Sequence, residues 1–308
     1  MRNLSLVLTS LLFISTSISC SKTEKETAYY ENGNIKYLIN LKNGVRHGEM
    51  IHYYPQGGVS TVVNYKTGLK HGEAKEYYEN NNLKLIVNFK DGKNNGIYKS
   101  YYSNGNLALE VKYKDDEKNS IEKQYYENKK PKLVITYEMG IPVGKYIEYF
   151  DNGNPSFKGE YVSGVLSNGY EKYREDKTLK EKGTLKNGEI NGLVYSYFDD
   201  GKTLKSEVNY KDGKSIGTGK YYDLKSRFFI TFNQTVNNDF FSFFNETNYN
   251  AQCSNGMKLS NEDFVNFVNN GVVPAVCLGK NKIDNNNNNE SINEIENNEV
   301  ESNEKIQL

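Results

Sequence analysis

The 308-residue chain contains no tryptophan, five prolines, three cysteines and three histidines. Without an indole, no sugar ring can be stacked on the side chain that sugar-binding repeats most often use. His47, His52 and His71 are the only imidazoles. With no thiolate or carboxylate grouped beside them they make a poor metal site, and three cysteines at wide spacing do not make a zinc site. There is no excess of either charge, because Lys plus Arg and Asp plus Glu both number 39. That balance removes the bulk electrostatic footprint of a nucleic-acid or anionic-lipid binder. The sequence holds no G-x-S-x-G, no glycine-rich phosphate loop and no H-E-x-x-H, so it offers no catalytic or cofactor-binding residue. A non-enzymatic protein without cofactor or metal is expected.

One hydrophobic run stands out, "LSLVLTSLLFI" (4–14), behind Arg2 and ahead of "STSIS" and Cys20. It is too short for a membrane span and has the layout of an export signal. Its end resembles a bacterial lipoprotein signal, with Ser19 before the cut and Cys20 as the lipidated residue. It departs from that pattern in having Ser17 where leucine is usual. The resemblance implies a signal peptide over 1–19, lipid attachment at Cys20, a polar tether over 20–28 and a membrane-anchored lipoprotein of the bacterial cell envelope. Plain secretion is the alternative.

What the chain has in quantity is tyrosine and glycine, 26 of each. Tyr29, Tyr53, Tyr77, Tyr101, Tyr125, Tyr149, Tyr173, Tyr197 and Tyr221 recur at a spacing of 24 residues. A fixed period of this length marks stacked supersecondary units. A second set of marks keeps the period, in "LKNGVRHG" (41–48), "YKTGLKHG" (65–72), "FKDGKNNG" (89–96), "YEMGIPVG" (137–144) and "LKNGEING" (185–192). Their glycines, Gly44, Gly48, Gly68, Gly72, Gly92, Gly96, Gly140, Gly144, Gly188 and Gly192, read as turn residues. The segments between turns alternate, as in Leu83, Leu85, Val87, Phe89 against Lys84 and Asn88, which is the period of a half-solvated antiparallel strand. Asn-Gly at 32–33, 104–105 and 152–153 reads as the two-residue type I′ hairpin signal.

The whole cassette resembles the MORN-variant repeat family: a Tyr-Tyr-x-Asn-Gly hairpin, an apolar strand, then Tyr-Lys-x-Gly-x-x-x-Gly. The resemblance implies hairpins laid side by side. The expected fold is all-β, an elongated single-sheet antiparallel meander of about eight such repeats over 29–222, with a small α+β C-terminal cap over 223–280 and a disordered Asn/Glu-rich tail over 281–308. The stretch "YKDDEKNS" (113–120) lacks both glycines, so a bulge or weaker turn is expected there. In the cap, Cys253 and Cys277 form the candidate disulfide of an exported protein, and "SNEDFVNFVNNG" (260–271) reads as a helix capped by Ser260.

A two-residue loop at Asn32-Gly33 places Tyr30 on the apolar face and Tyr29 on the polar face beside Lys36, with Tyr77 beside Lys84 and Tyr125 beside Lys132. Tyr53, Tyr77, Tyr101, Tyr125 and Tyr149 then form a candidate binding strip, or else a ladder that only stiffens the sheet. A protein partner is the leading expectation, in a scaffold at the envelope. Relatives of the repeat labelled antitoxin-like suggest neutralisation of a partner by contact, and an envelope glycan is a further possible ligand. No nucleic-acid partner is expected.

Overall fold

In a computed structural model the described residues are 22–223, 229–233, 250–270 and 272–278. The expected signal peptide, the lipid attachment at Cys20, most of the Phe-rich stretch after 233 and the tail over 281–308 lie outside them. Strands dominate, twenty-one among the described residues, with one α-helix, Asn261–Asn270. The chain divides into two compact units, 1–167 with 175–177, and 168–174 with 178–308.

In the first unit successive strands pair antiparallel, Glu117–Lys118 and Ile121–Tyr125 both lying against Leu107–Lys114, so the all-β meander expected from the period is what forms. The edge strand is Thr23–Tyr29, paired along its length with Ile35–Lys42. Residues 23–28, expected as tether, are therefore part of the sheet. Thr23, Thr27 and the hydrogen-bonded ladder outweigh the polar composition that suggested a linker. The charges of Glu24, Lys25 and Glu26 sit where charge blunts an open edge.

Two kinds of turn alternate, and the two-residue kind is not at the Asn-Gly dipeptides where it was expected. The two-residue type I′ loops are at Asn43-Gly44, Thr67-Gly68, Asp91-Gly92, Met139-Gly140, Ser163-Gly164, Asn187-Gly188 and Asp212-Gly213, where both residues have positive φ. Lys42 pairs directly with Val45 across the first of them. Asp115-Asp116 keeps this geometry without glycine, at φ 51° and 74°. At Asn32-Gly33 only the glycine is left-handed. Tyr30 N donates to Asn34 O at 2.8 Å and Gly33 N to Tyr30 O at 3.0 Å, enclosing a three-residue loop. This is the type I turn with a following left-handed residue. Asn-Gly satisfies both turn types, and loop length, which the dipeptide does not encode, separates them.

A row of directly opposed residues forms the core of this unit: Ile39, Met50, Val63, Ala74, Val87, Tyr98 and Val111. Ile39, Ala74, Val87, Val111 and Ile135 are buried, although no helix covers the face among the described residues. Long side chains in the flanking rows close over them. Tyr98 meets Tyr113 at 5.6 Å, Tyr146 meets Tyr161 at 5.4 Å, and Lys70 lies 5.0 Å over Phe89. Such cross-strand pairs each contribute ~0.2–1 kcal/mol, and their number carries a single-layer core. Tyr146 lies opposite Gly159, where an added Cβ would meet Phe157 at 2.9 Å, so the bare backbone there makes room for rings.

Glu122 falls among these apolar positions and is buried, on the irregular repeat that lacks both glycines. Lys118 pairs with its carboxylate and Gln124 donates to Glu122 Oε1 at 2.7 Å, as a buried charge requires.

In the second unit residues 168–173 pair with Leu179–Lys186, and the meander continues through Gly192–Tyr197, Leu204–Lys211 and Lys214–Tyr222 to Phe229–Asn233 and Asn250–Cys253. The helix Asn261–Asn270 packs its apolar side on this end. Phe264, Phe267 and Val268 join Val208, Tyr221, Ile230, Ala251 and Leu259 in one buried cluster. Ser260 caps the helix, its Oγ accepting from Asp263 N at 3.1 Å and donating to Asp263 Oδ2 at 2.7 Å. Cys253 and Cys277 are bonded, S–S 2.05 Å, and both are buried in the cluster.

Candidate binding face of the repeat sheet

The cassette writes its junctions in side chains that reach to the next repeat. The second tyrosine of each pair donates its hydroxyl to the backbone carbonyl of the next repeat's first tyrosine: Tyr30 to Tyr53, Tyr54 to Tyr77, Tyr78 to Tyr101, Tyr102 to Tyr125 and Tyr126 to Tyr149, all at 2.6–2.7 Å. In the second unit Arg174 does the same for Tyr197 O at 2.7 Å. Asparagines of the three-residue loop repeat the device. Asn32 and Asn34 both donate to Pro55 O, Asn80 and Asn82 to Ser103 O, and Asn152 and Asn154 to Glu175 O.

At the opposite ends of the strands, Asn40 Nδ2 donates to Glu49 O at 2.7 Å and Asn64 Nδ2 to Glu73 O at 2.8 Å. These asparagines satisfy the backbone where Gly48 and Gly72, both with positive φ, bulge the facing strand. So the candidate glycines fall into two classes. Gly44, Gly68, Gly92, Gly140 and Gly188 close two-residue turns. Gly48, Gly72, Gly96, Gly144 and Gly192 are the positive-φ residues further along the returning strand. Sequence reasoning missed the asparagine contacts, although Asn40, Asn64 and Asn88 keep the 24-residue period and were open to the same reading as the tyrosines.

The candidate strip occupies the face opposite the buried row. Tyr77 pairs with Leu83 and Glu76 with Leu85, so Lys84 is the extra residue of a bulge, and the same shift recurs at Tyr29, Tyr53, Tyr101, Tyr125 and Tyr149. The three-residue loop inverts the side-chain parity and the bulge inverts it back. Tyr77 therefore stays on the polar face for a different reason from the one expected, and its neighbour is Leu83, not Lys84. Lys36, Lys84 and Lys132 lie 5.7, 5.9 and 5.7 Å over the second tyrosines Tyr30, Tyr78 and Tyr126.

Tyr53, Tyr77, Tyr101, Tyr125 and Tyr149 are each half-buried and face Val59, Leu83, Leu107, Pro131 and Pro155 respectively. Tyr125 donates its hydroxyl to Glu110 Oε1 at 3.2 Å. Burial first, then the Glu110 carboxylate, raises the Tyr125 phenol above its ordinary pKa, so it is neutral at physiological pH. Beside the strip runs a second row in continuous register, Val62, Lys75, Ile86, Lys99, Glu110, Lys123 and Val134. Lys75 meets Glu73 at 2.7 Å, while Lys99 and Lys123 share Glu110 at 3.6 and 3.8 Å. This arrangement presents rings and aliphatics in a line with cations alongside.

His71 Nδ1 lies 3.2 Å from Asp91 Oδ1 in the next turn, while His47 Nδ1 accepts from Thr67 N at 3.5 Å. Each ties one turn to its neighbour. Among the described residues no cluster of three metal-ligating side chains occurs.

Comparison with known families places the MORN repeat variant on six stretches, residues 25–43, 46–67, 70–91, 94–115, 118–139 and 142–163. These are the successive hairpin cassettes of the first unit. No curated protein matches the chain. Among solved structures a chain of one described as "Crystal Structure of TcdB2-TccC3-Cdc42" is similar at 8% identity and a TM-score of 0.19, over 76% of this chain and 15% of that one. At that TM-score nothing about this chain follows from the likeness.

Proposed function

We propose that the protein is a non-enzymatic scaffold, exported and held on the bacterial envelope by a lipidated Cys20, whose repeat sheet docks another protein. The MORN-variant repeats support a repeat-based binding scaffold, since stacked repeats generate extended surfaces suited to macromolecular partners. The observation that carries the choice of face is the line Tyr53, Tyr77, Tyr101, Tyr125 and Tyr149, alternating with Val59, Leu83, Leu107, Pro131 and Pro155. Their half-buried rings and aliphatics are covered by no other element of their unit among the described residues. A partly exposed row of this kind offers an interaction surface.

The test is capture of envelope proteins by the wild type and by a Tyr77, Tyr101 and Tyr125 triple alanine variant, with a glycan array alongside. Loss of protein capture in the variant supports docking through the strip. Unchanged capture removes the strip from binding, and tyrosine-dependent glycan retention without protein capture transfers the face to a carbohydrate. The anchor is tested separately. Cys20→Ala is expected to abolish labelled-palmitate incorporation, and label persisting in the variant defeats the lipidation reading.

A further inference from the structure

The polar face carries more than rings. Lys75, Lys99 and Lys123 stand one repeat apart in a single cross-strand row, each two residues ahead of a strip tyrosine: Tyr77, Tyr101 and Tyr125. Their side chains are 38%, 35% and 47% exposed. Lys75 pairs with Glu73 at 2.7 Å, both side chains being partly exposed, so the three lysines face two acids and one cation is in excess. Glu110 is shared by two lysines at 3.6 and 3.8 Å, beyond hydrogen-bonding distance. Exposed pairs of this kind contribute little and exchange readily for a partner's carboxylate. Between Lys75 and Lys99 the row is apolar, at Ile86, while Glu110 stands between Lys99 and Lys123 and is outnumbered by them; the facing part of the strip is apolar at Leu83 and Leu107.

Spacing selects the shape of the ligand. Two strands per repeat at 4.7–4.9 Å each set the lysines ~9.6 Å apart along the sheet axis. A polyproline II helix advances about 9.3 Å per turn of three residues, so every third side chain points the same way at nearly that interval. An α-helix returns to one face only at spacings set by 3.6 residues per turn, and its seven-residue repeat advances about 10.5 Å. A β-strand alternates sides, so its third residue points away. Aromatic-lined faces also suit polyproline II ligands, whose ordering cost is low.

The geometry points to docking of an acidic polyproline II peptide across the strands between Lys75 and Lys123, with a carboxylate at every third residue and its intervening residues on Tyr77, Tyr101 and Tyr125. Three rungs require a seven-residue core of the form Glu-x-x-Glu-x-x-Glu. This rests on the scaffold reading and specifies the partner's chemistry at the same face.

The probe is the peptide Glu-Pro-Pro-Glu-Pro-Pro-Glu, compared by fluorescence anisotropy with a peptide of the same composition whose three glutamates are contiguous. The spaced peptide is expected to bind about tenfold more tightly, to weaken as salt rises, and to lose about tenfold in a Lys75, Lys99 and Lys123 triple methionine variant whose far-ultraviolet circular dichroism matches the wild type. Equal binding of the two peptides, or an unchanged triple variant, overturns the inference. So does lysine-dependent binding of polygalacturonate that is tighter than peptide binding. If the spaced peptide fails while tyrosine-dependent protein capture persists, the acidic ligand is wrong and the scaffold reading stands. If both fail, both fall.

Discussion

The hydroxyl of Tyr78 donates to the backbone carbonyl of Tyr101 at 2.7 Å, joining two repeats through a bond that neither repeat makes alone. Stability in such an array is a sum of unit terms and neighbour terms. The second tyrosine, together with the asparagine contacts of the same loop, supplies part of the neighbour term. Tyr78→Phe keeps the ring under Lys84 and removes only the hydroxyl, leaving a part-buried carbonyl without this donor. The expected loss is about 1 kcal/mol in urea unfolding, within the usual range for one hydrogen bond. Tyr77→Phe, on the other face, is expected to change stability by less than half as much. Equal effects at the two positions would remove the junction role.

Lys129 holds φ 69° at the loop position where Gly33, Gly57, Gly105 and Gly153 occupy the same conformation. A left-handed residue with a Cβ costs on the order of 1 kcal/mol relative to glycine. Lys129→Gly is therefore expected to stabilise the first unit by about that amount, and Gly105→Lys to destabilise it comparably. Thermal unfolding followed by circular dichroism measures both, and a destabilised Lys129→Gly protein would contradict the strain argument.

Much of this architecture was legible from the period alone. Tyr77, Val87 and Gly92 fix a strand, a turn and a return in each cassette, and the apolar parity of Leu85, Val87 and Phe89 names the buried row. Leu83 was misplaced because the bulge at Lys84 sits between it and Leu85, and one extra residue reverses a face without leaving a mark in composition. Asn32-Gly33 was misread for a related reason. The dipeptide is favourable in both a two-residue and a three-residue loop, and only the Tyr30–Asn34 backbone pairing decides. The bonds from Tyr78 and Asn80 were invisible because they join residues 23 apart in sequence whose proximity exists only once the sheet is formed.

Cys253 and Cys277 close a loop with a sequence separation of 24 around the helix Asn261–Asn270. In the chain-entropy account a bridge over a loop of this size stabilises by about 3 kcal/mol. Reduction, or paired Cys253→Ala and Cys277→Ala substitution, is expected to lower the unfolding midpoint of the C-terminal cluster. The transition of the N-terminal repeats should stay in place. Hydrogen exchange resolves the two. Protection of Phe264 and Phe267 amides should fall while that of Val87 and Val111 holds, and uniform loss across both units would refute a local role for the bridge.

Alkaline titration tests how the tyrosines are held. Burial, then the hydrogen bond from Tyr222 to Glu207 Oε1 at 2.8 Å, pushes the Tyr222 phenol up to about 12. Burial raises Tyr221 and Tyr170 as well, with the Glu181 carboxylate adding to the shift at Tyr170. In the unfolded chain these phenols ionise near pH 10. Between about pH 10 and 12 the unfolded state has therefore released protons that the folded state retains, and stability falls as pH rises. Below about pH 10 both states are protonated and this contribution is fully present. The second unit should lose stability steeply above pH 10, and absorbance at 295 nm should show a tyrosine class titrating near 12 before unfolding. In Tyr222→Phe the alkaline slope should be shallower at unchanged stability near neutrality, apart from the lost hydrogen bond. An unaltered slope would mean that Tyr222 titrates like a solvated phenol and that Glu207 does not hold its proton.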